Sequence, residues 1–304
     1  MHTLKVISCS IALLVVFTAA AVAQNSTVAP MQMRGLMPVV EVKINGQGPF
    51  AFMIDTGAGM QADIDISVAQ RLGLPVSGTA INGDPSGEND REVATVRLNS
   101  IVIGGQNVPA SGTRARRISD SAGLEFSNVT AIVRPHKITQ DYPDVDGILG
   151  FALFSDYLLT LDYPAMQVKL ARGALAEANT GDILNFELEN HIPVVELGIG
   201  KIRVPAHIDS GNFVAGFILP EEIVEQLPLL SQPVAVGRAR SVSNRISLKQ
   251  VQLRDTIRIG GFEYPQATVV FPAPAETNIG FNVLREFALT FDQKNRRIKL
   301  ERSH

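Results

Sequence analysis

The chain has 304 residues and a net charge of -3, and 45% of its residues are hydrophobic while 19% are charged. This composition is typical of a folded protein with one large or two medium domains, and it excludes a disordered chain. The pI near 6.0 and the lack of a long Lys/Arg run argue against nucleic acid as a partner.

Residues 1-23 have the pattern of a secretory signal peptide. Lys5 is the positive start, Val6 to Phe17 form an apolar run, and Ala21-Val22-Ala23 resembles a cleavage site. A membrane anchor is the alternative, but the uncharged stretch is near the lower length limit for crossing a bilayer. We therefore expect cleavage after Ala23, export to a bacterial periplasm or the medium, and no membrane association afterwards.

The single cysteine, Cys9, lies within this predicted signal peptide. The exported chain would therefore have no disulfide and no metal site built on cysteine. A short N-terminal segment, 24-35, leads to the first predicted strand.

The remainder of the chain contains three pairs of similar segments in the same order. They are MPVVEVKINGQGPFAFMIDTGAG (37–59) and IPVVELGIGKIRVPAHIDSGNF (192–213), VRLNSIVIGGQNVP (96–109) and VQLRDTIRIGGFEYP (251–265), and GFALFSDYLLTLDYPAMQVKLAR (150–172) and GFNVLREFALTFDQKNRRIKLER (280–302). This duplication predicts two copies of one fold unit, an N-terminal lobe over 36-173 and a C-terminal lobe over 183-304.

Each copy consists mostly of short alternating segments bounded by Gly and Asn turns, which predicts a mostly β fold. One helix is expected after each Asp motif, in SVAQRLGLP and in PEEIVEQLPL, and a second at 152–157 and at 283–287. Copy one has extra sequence at 110-146, mostly without a match in copy two, and we expect its polar part to be a surface loop.

The duplication aligns Asp55-Thr56-Gly57 with Asp209-Ser210-Gly211. If the lobes pack about a pseudo-twofold axis, the two carboxylates meet in the cleft between them. Two acids in contact share one proton, so one can activate water while the other polarises a carbonyl. This chemistry hydrolyses amides and needs neither a metal nor a cofactor. A single Asp-Gly turn would be structural, but the matched pair predicts a catalytic dyad.

The sequence resembles the pepsin/retropepsin aspartic proteases, in the bacterial form with two retropepsin-like lobes in one chain. The resemblance rests on Asp55-Thr56-Gly57-Ala58, on Asp209-Ser210-Gly211, and on the hydrophobic-Gly segments that end at Gly150 in GILG and at Gly280 in NIG. It implies two acid-protease β-barrel lobes with few short helices, and an endopeptidase in which Asp55 and Asp209 activate a water.

The resemblance also implies a monomer that binds an extended peptide beneath a flap hairpin, with 82–93 and 237–248 as the candidate flap segments. Asn212 departs from the family pattern, because Ala, Ser or Thr usually occupies that place. The alternatives are a catalytically inactive peptide-binding protein on the same scaffold and a structural envelope protein without a cleft.

Several other polar residues are expected to be structural. Asp162 and Asp292 begin turns before the last strand of each copy, and Asp146 and Glu276 are expected in turns or at the surface. His207 lies two residues before Asp209 and is expected to be a packing residue.

Overall fold

The computed structural model describes residues 26–83, 90–104, 123–135, 145–179, 181–240, 245–272 and 275–302. The predicted signal peptide and the polar part of the 110-146 segment lie outside these residues. The described chain forms three sheets, whose strands are numbered here along the sequence.

The N-terminal lobe is an eight-stranded sheet in the order β2-β3-β4-β9-β5-β8-β7-β6, and an additional pairing of β3 with β7 closes it. Its strands are β2 (Gln32–Arg34), β3 (Met37–Ile44), β4 (Gln47–Asp55), β5 (Ala62–Asp65), β6 (Val76–Asn82), β7 (Arg91–Ile103), β8 (Leu124–Arg134) and β9 (Gly147–Gly150). Residues 50–54 of β4 are all buried, as expected for a strand covered on both faces.

The C-terminal lobe repeats this arrangement in a ten-stranded sheet, in the order β17-β18-β21-β16-β22-β15-β14-β19-β20, with β13 paired to β14. Its strands are β13 (Glu187–Glu189), β14 (Ile192–Ile199), β15 (Ile202–Ile208), β16 (Phe217–Ile218), β17 (Val234–Arg240), β18 (Arg245–Gln252), β19 (Ile257–Ile259), β20 (Phe262–Tyr264), β21 (Thr268–Phe271) and β22 (Asn278–Ile279).

A third sheet, with six strands in the order β1-β11-β10-β23-β24-β12, is shared by the two lobes. Its strands are β1 (Thr27–Pro30), β10 (Leu158–Asp162), β11 (Gln167–Ala171), β12 (Ile183–Asn185), β23 (Phe287–Asp292) and β24 (Arg297–Arg302). The lobes join where β10 pairs antiparallel with β23, with Thr160 opposite Thr290 and their hydroxyls 2.9 Å apart. The predicted mostly β, two-lobe fold is therefore confirmed.

Four short helices lie among the described residues, and all four are near their predicted positions. They are α1 (Ile66–Arg71), a 3-10 helix (Phe151–Phe154), α2 (Glu221–Val224) and α3 (Phe281–Leu284). Asp65 caps α1 by accepting a hydrogen bond from the Ser67 N–H at 2.8 Å. No helix in the described part of the chain combines the length and hydrophobicity that a bilayer span requires.

The 110-146 segment is only partly additional sequence, which corrects the expectation. Its described part includes β8, which pairs with β5 and β7 inside the N-terminal sheet. The C-terminal lobe fills the equivalent place with two short strands, β20 and β21, separated by a turn in which Gln266 has a φ of 53°. The sequence match between the copies, which ends at residues 109 and 265, does not reveal this correspondence.

The largest hydrophobic cluster among the described residues extends through both lobes beneath the shared sheet. Phe151 of the N-terminal lobe packs edge-on against Phe291 at 5.1 Å and Phe186 at 6.1 Å, measured between ring centroids. Burying each such ring contributes roughly 1.5–3 kcal/mol. The two lobes are therefore held by packing as well as by backbone hydrogen bonds.

Candidate active site

The two motif aspartates lie at matching ends of buried strands. Asp55 is the last residue of β4, which runs parallel to β9 with Asp55 opposite Gly150. Asp209 directly follows β15, which runs parallel to β22, and its N–H donates to the Ile279 carbonyl at 3.0 Å. Both carboxyls are therefore placed by apolar strands that the packing of each lobe fixes.

The glycines of the two motifs allow the carboxyls to meet across the lobe boundary. The Gly57 N–H donates to Asp55 Oδ1, and the Gly211 N–H donates to Asp209 Oδ1, both at 2.8 Å. A Cβ atom on Gly57 would overlap the Asp209 carboxyl, and one on Gly211 would overlap the Asp55 carboxyl. Each carboxyl therefore rests on the backbone of the opposite loop.

Thr56 and Ser210 bind each other's strands in a symmetric network. The Thr56 hydroxyl donates to the Ile208 carbonyl at 2.6 Å and accepts from the Ser210 N–H at 3.0 Å. The Ser210 hydroxyl donates to the Ile54 carbonyl at 2.8 Å and accepts from the Thr56 N–H at 2.9 Å. Both residues are only 1% exposed, so these four bonds are shielded from water.

The hydrophobic-Gly segments lie behind the two motif loops. The Phe151 N–H donates to the Ala58 carbonyl, and the Phe281 N–H donates to the Asn212 carbonyl, both at 2.8 Å. Side chains at Gly150 or Gly280 would clash with these same loops. The sequence-predicted residues of the site thus form one cluster in the structure.

The electrostatics of the dyad favour a shared proton. Burial raises the pKa of Asp55 well above its ordinary range, and the charge of Asp209 and a hydrogen bond to it raise it further. The Gly57 N–H and the Arg134 charge act in the opposite direction. At mildly acidic pH one proton therefore remains on the pair.

Tyr163 is a neighbour that the sequence did not indicate. Burial raises the pKa of its hydroxyl, with further contributions from the charges of Asp209 and Asp55. Its ring packs edge-on against Phe281, with centroids 5.9 Å apart. The hydroxyl is buried and has no hydrogen-bond partner among the described residues.

Asn212 connects the dyad to a second amide, Asn278, which lies in the segment predicted to be a hydrophobic-Gly segment. Its Nδ2 donates to Asn278 Oδ1 at 2.7 Å, and Asn278 Nδ2 donates to Asp209 Oδ2 at 2.7 Å. The sequence contains one signal of this role, because NIG has the polar Asn278 where GILG has Ile148. Asn212, the residue that departs from the family pattern, therefore takes part in the hydrogen bonding of Asp209.

The other acids and His207 lie outside this cluster. Asp162 and Asp292 accept N–H groups of their own turns, at 3.0 and 3.1 Å, as predicted. His207 lies between two carboxylates, with Nδ1 3.3 Å from Glu276 Oε2 and Nε2 3.5 Å from Glu189 Oε2. Among the described residues no group of three His, Cys, Asp or Glu side chains could hold a metal.

Both candidate flap segments belong to hairpins. One is formed by β6 and β7, and the other by β17 and β18. Residues 84–89 and 241–244 of the candidate segments lie outside the described residues.

Part of the chain is similar to a known protein family. Residues 40–153 match the family model described as Aspartyl protease. No curated protein matches the chain. The crystal structure of Basic 7S globulin from soybean is similar with a TM-score of 0.52 and 12% identity, over 92% of this chain and 97% of that one. At this identity the likeness concerns the fold alone, which is pepsin-like, and the predicted family resemblance is confirmed.

Proposed function

We propose that this chain, an aspartyl-protease-type protein with a pepsin-like fold, is an exported aspartic endopeptidase whose dyad is Asp55 and Asp209. The observation that carries the proposal is the meeting of the two carboxyls, each resting on the glycine of the opposite loop. A structural role for these acids would not require the two motifs to face each other.

The geometry supports hydrolysis by general acid and base. The ionised carboxylate takes a proton from a water while the water oxygen attacks the peptide carbonyl carbon. The protonated carboxyl gives its proton to the carbonyl oxygen, so a neutral gem-diol forms. When the gem-diol collapses, one of its hydroxyls gives a proton back to the carboxyl that protonated the carbonyl oxygen. The carboxyl that took the proton from water then protonates the leaving nitrogen. The C–N bond breaks, and the dyad again holds one proton.

Exposed apolar side chains support an extended peptide as the substrate. They lie on the hairpin strands and just after the second motif loop, at Val76, Ile81, Val234, Val236, Phe213 and Val214. A strand-like peptide pairs its backbone with a hairpin and places alternate side chains on such apolar surfaces. Export as a monomer and removal of the signal peptide belong to the same proposal and rest on the sequence.

The test compares the mature chain, from Gln24 onward, with its Asp55→Asn and Asp209→Asn variants. Each is incubated with a mixed peptide library between about pH 3 and 7, the range in which a proton-sharing dyad works, and cleavage is measured by mass spectrometry. We expect internal cleavage by the wild type and none by either variant. Peptide binding without cleavage would instead identify an inactive binding protein. The absence of both binding and cleavage would indicate a structural role.

A further inference from the structure

The two walls of the dyad occupy matched positions in the fold but differ in polarity. In the N-terminal lobe, Met53 of β4 pairs with Ile148 of β9, and in the C-terminal lobe His207 of β15 pairs with Asn278 of β22. Ile148 and Met53 belong to an apolar cluster beside Asp55. Asn278 therefore introduces an amide beside Asp209 where the other lobe has only hydrocarbon.

Backbone groups fix the direction of the hydrogen bonds that reach Asp209. The Oδ1 atom of Asn212 accepts the N–H groups of Val214 at 3.0 Å and Ala215 at 3.4 Å, which can only donate. The Nδ2 atom of Asn212 must therefore point to Asn278 Oδ1. Asn278 is left with its Nδ2 directed at Asp209, so the chain delivers a donor to that carboxyl and never an acceptor.

The donors around the two acids are unequal in number. Asp209 accepts three N–H groups, from Gly211 and Asn212 on Oδ1 and from Asn278 on Oδ2. Among the described residues, a single protein N–H donates to Asp55. Hydrogen bonds to a carboxylate stabilise its ionised form, so the negative charge is better stabilised on Asp209.

We propose that Asn278, held by Asn212, is a positioning residue that makes Asp209 the ionised base of the dyad and Asp55 the protonated acid. The proposal rests on the proposed function for its catalytic meaning, but the charge asymmetry itself is a property of the folded chain. Water is then activated from the C-terminal side, and the carbonyl oxygen is protonated from the N-terminal side.

Other ionisable groups around the dyad do not create this asymmetry. They are Arg134, Tyr163, His207, Glu189 and Glu276. Arg134 acts on Asp55, and it is held in an ion pair by Asp63. Tyr163 is influenced by both carboxylates. His207 is shared between the two glutamates, so any positive charge on it is balanced locally. The asymmetry therefore depends on the amides.

The first test is the pH dependence of kcat/KM, whose acid limb reports ionisation of the base in the free enzyme. Asn278→Leu keeps the size of the side chain and removes the donor. We expect it to move the acid limb upward by about one pH unit, a size typical of losing a donor to a charged group. Asn278→Asp should move it further because it places a second carboxyl beside Asp209. The matched control is Asn282→Leu in α3, an exposed position nearby.

The second test does not require activity. Carboxyl 13C NMR of aspartate-labelled protein, assigned with Asp55→Asn and Asp209→Asn, shows directly which carboxyl ionises first. We expect Asp209 to ionise before Asp55 in the wild type, and the gap to narrow in Asn278→Leu. If Asn278→Leu does not fold, Asn212→Ala removes the anchor of Asn278, together with the acceptor for the Val214 and Ala215 N–H groups, and leaves the Asn278 amide in place. It should narrow the gap by a smaller amount.

The two measurements separate the possible failures. A wild type that cleaves nothing but ionises at Asp209 first would refute the proposed function and support the asymmetry. An acid limb and carboxyl titrations that do not differ between Asn278→Leu and Asn282→Leu would overturn the role of Asn278, whatever the activity.

Discussion

Thr56→Val should weaken the junction between the lobes, because the Thr56 hydroxyl makes two of the four buried hydrogen bonds between the motif loops. The substitution keeps the shape of the side chain but removes its hydroxyl. The Ile208 carbonyl and the Ser210 N–H then lose their partner, and both lie in the buried network. Each of the two unsatisfied buried backbone groups costs about 1–3 kcal/mol, so we expect the free energy of unfolding to fall by at least about 2 kcal/mol. A domain of ordinary stability remains folded after this loss.

The assay for this prediction is urea unfolding of the wild type and three variants. Thr56→Ser is the matched control, because it keeps both hydrogen bonds and loses one methyl group, worth about 0.8 kcal/mol. Ser210→Ala is the mirrored change and should cost about as much as Thr56→Val, since it deprives the Ile54 carbonyl and the Thr56 N–H of their partner. A Thr56→Val variant as stable as Thr56→Ser would refute the assignment of these bonds.

Three further predictions concern groups at or near the dyad. Asp55→Asn should stabilise the protein increasingly as pH rises above about 4, because the native state holds a proton on Asp55 that the unfolded chain releases. Equal stabilisation at acidic and neutral pH, measured by thermal unfolding, would contradict this. Tyr163→Phe should leave the free energy of unfolding unchanged or raise it by up to about 1 kcal/mol, since the hydroxyl is buried without a partner among the described residues; a clear loss in urea unfolding would reveal a partner. Gly211→Ala should reduce kcat/KM at least about a hundredfold, because the added Cβ would displace the Asp55 carboxyl. Circular dichroism should show that the variant is still folded. Cleavage at the wild-type rate would contradict the packing of that glycine.

The sequence predicted the parts of the fold that depend on local pattern and duplication. The apolar run before Asp55 identifies a buried strand, and the repeat of the motif at Asp209 identifies its counterpart. Pro220, followed by two glutamates, marks the start of α2. These features are visible because each is encoded within about ten neighbouring residues.

Features that depend on register between distant segments could not be predicted. Asn278 lies beside Asp209 only because β22 pairs with β15, a contact across 69 residues. Tyr163 approaches the dyad only through the packing of the shared sheet against α3. Strand β8 was also missed, because residues 124–134 have no visible sequence match to their counterpart, β20 and β21.

The pairing of β10 with β23 has a consequence for how such a chain can originate. Thr160 and Thr290 face each other at the middle of the antiparallel pairing of β10 with β23. The two lobes therefore contact each other through equivalent strand edges. A lobe on its own would leave that edge bare, and an antiparallel edge of this kind is complementary to a copy of itself. The architecture is thus that of a pseudo-symmetric dimer joined in one polypeptide, and because the halves are covalently linked they can differ at matched positions, as they do at Ile148 and Asn278.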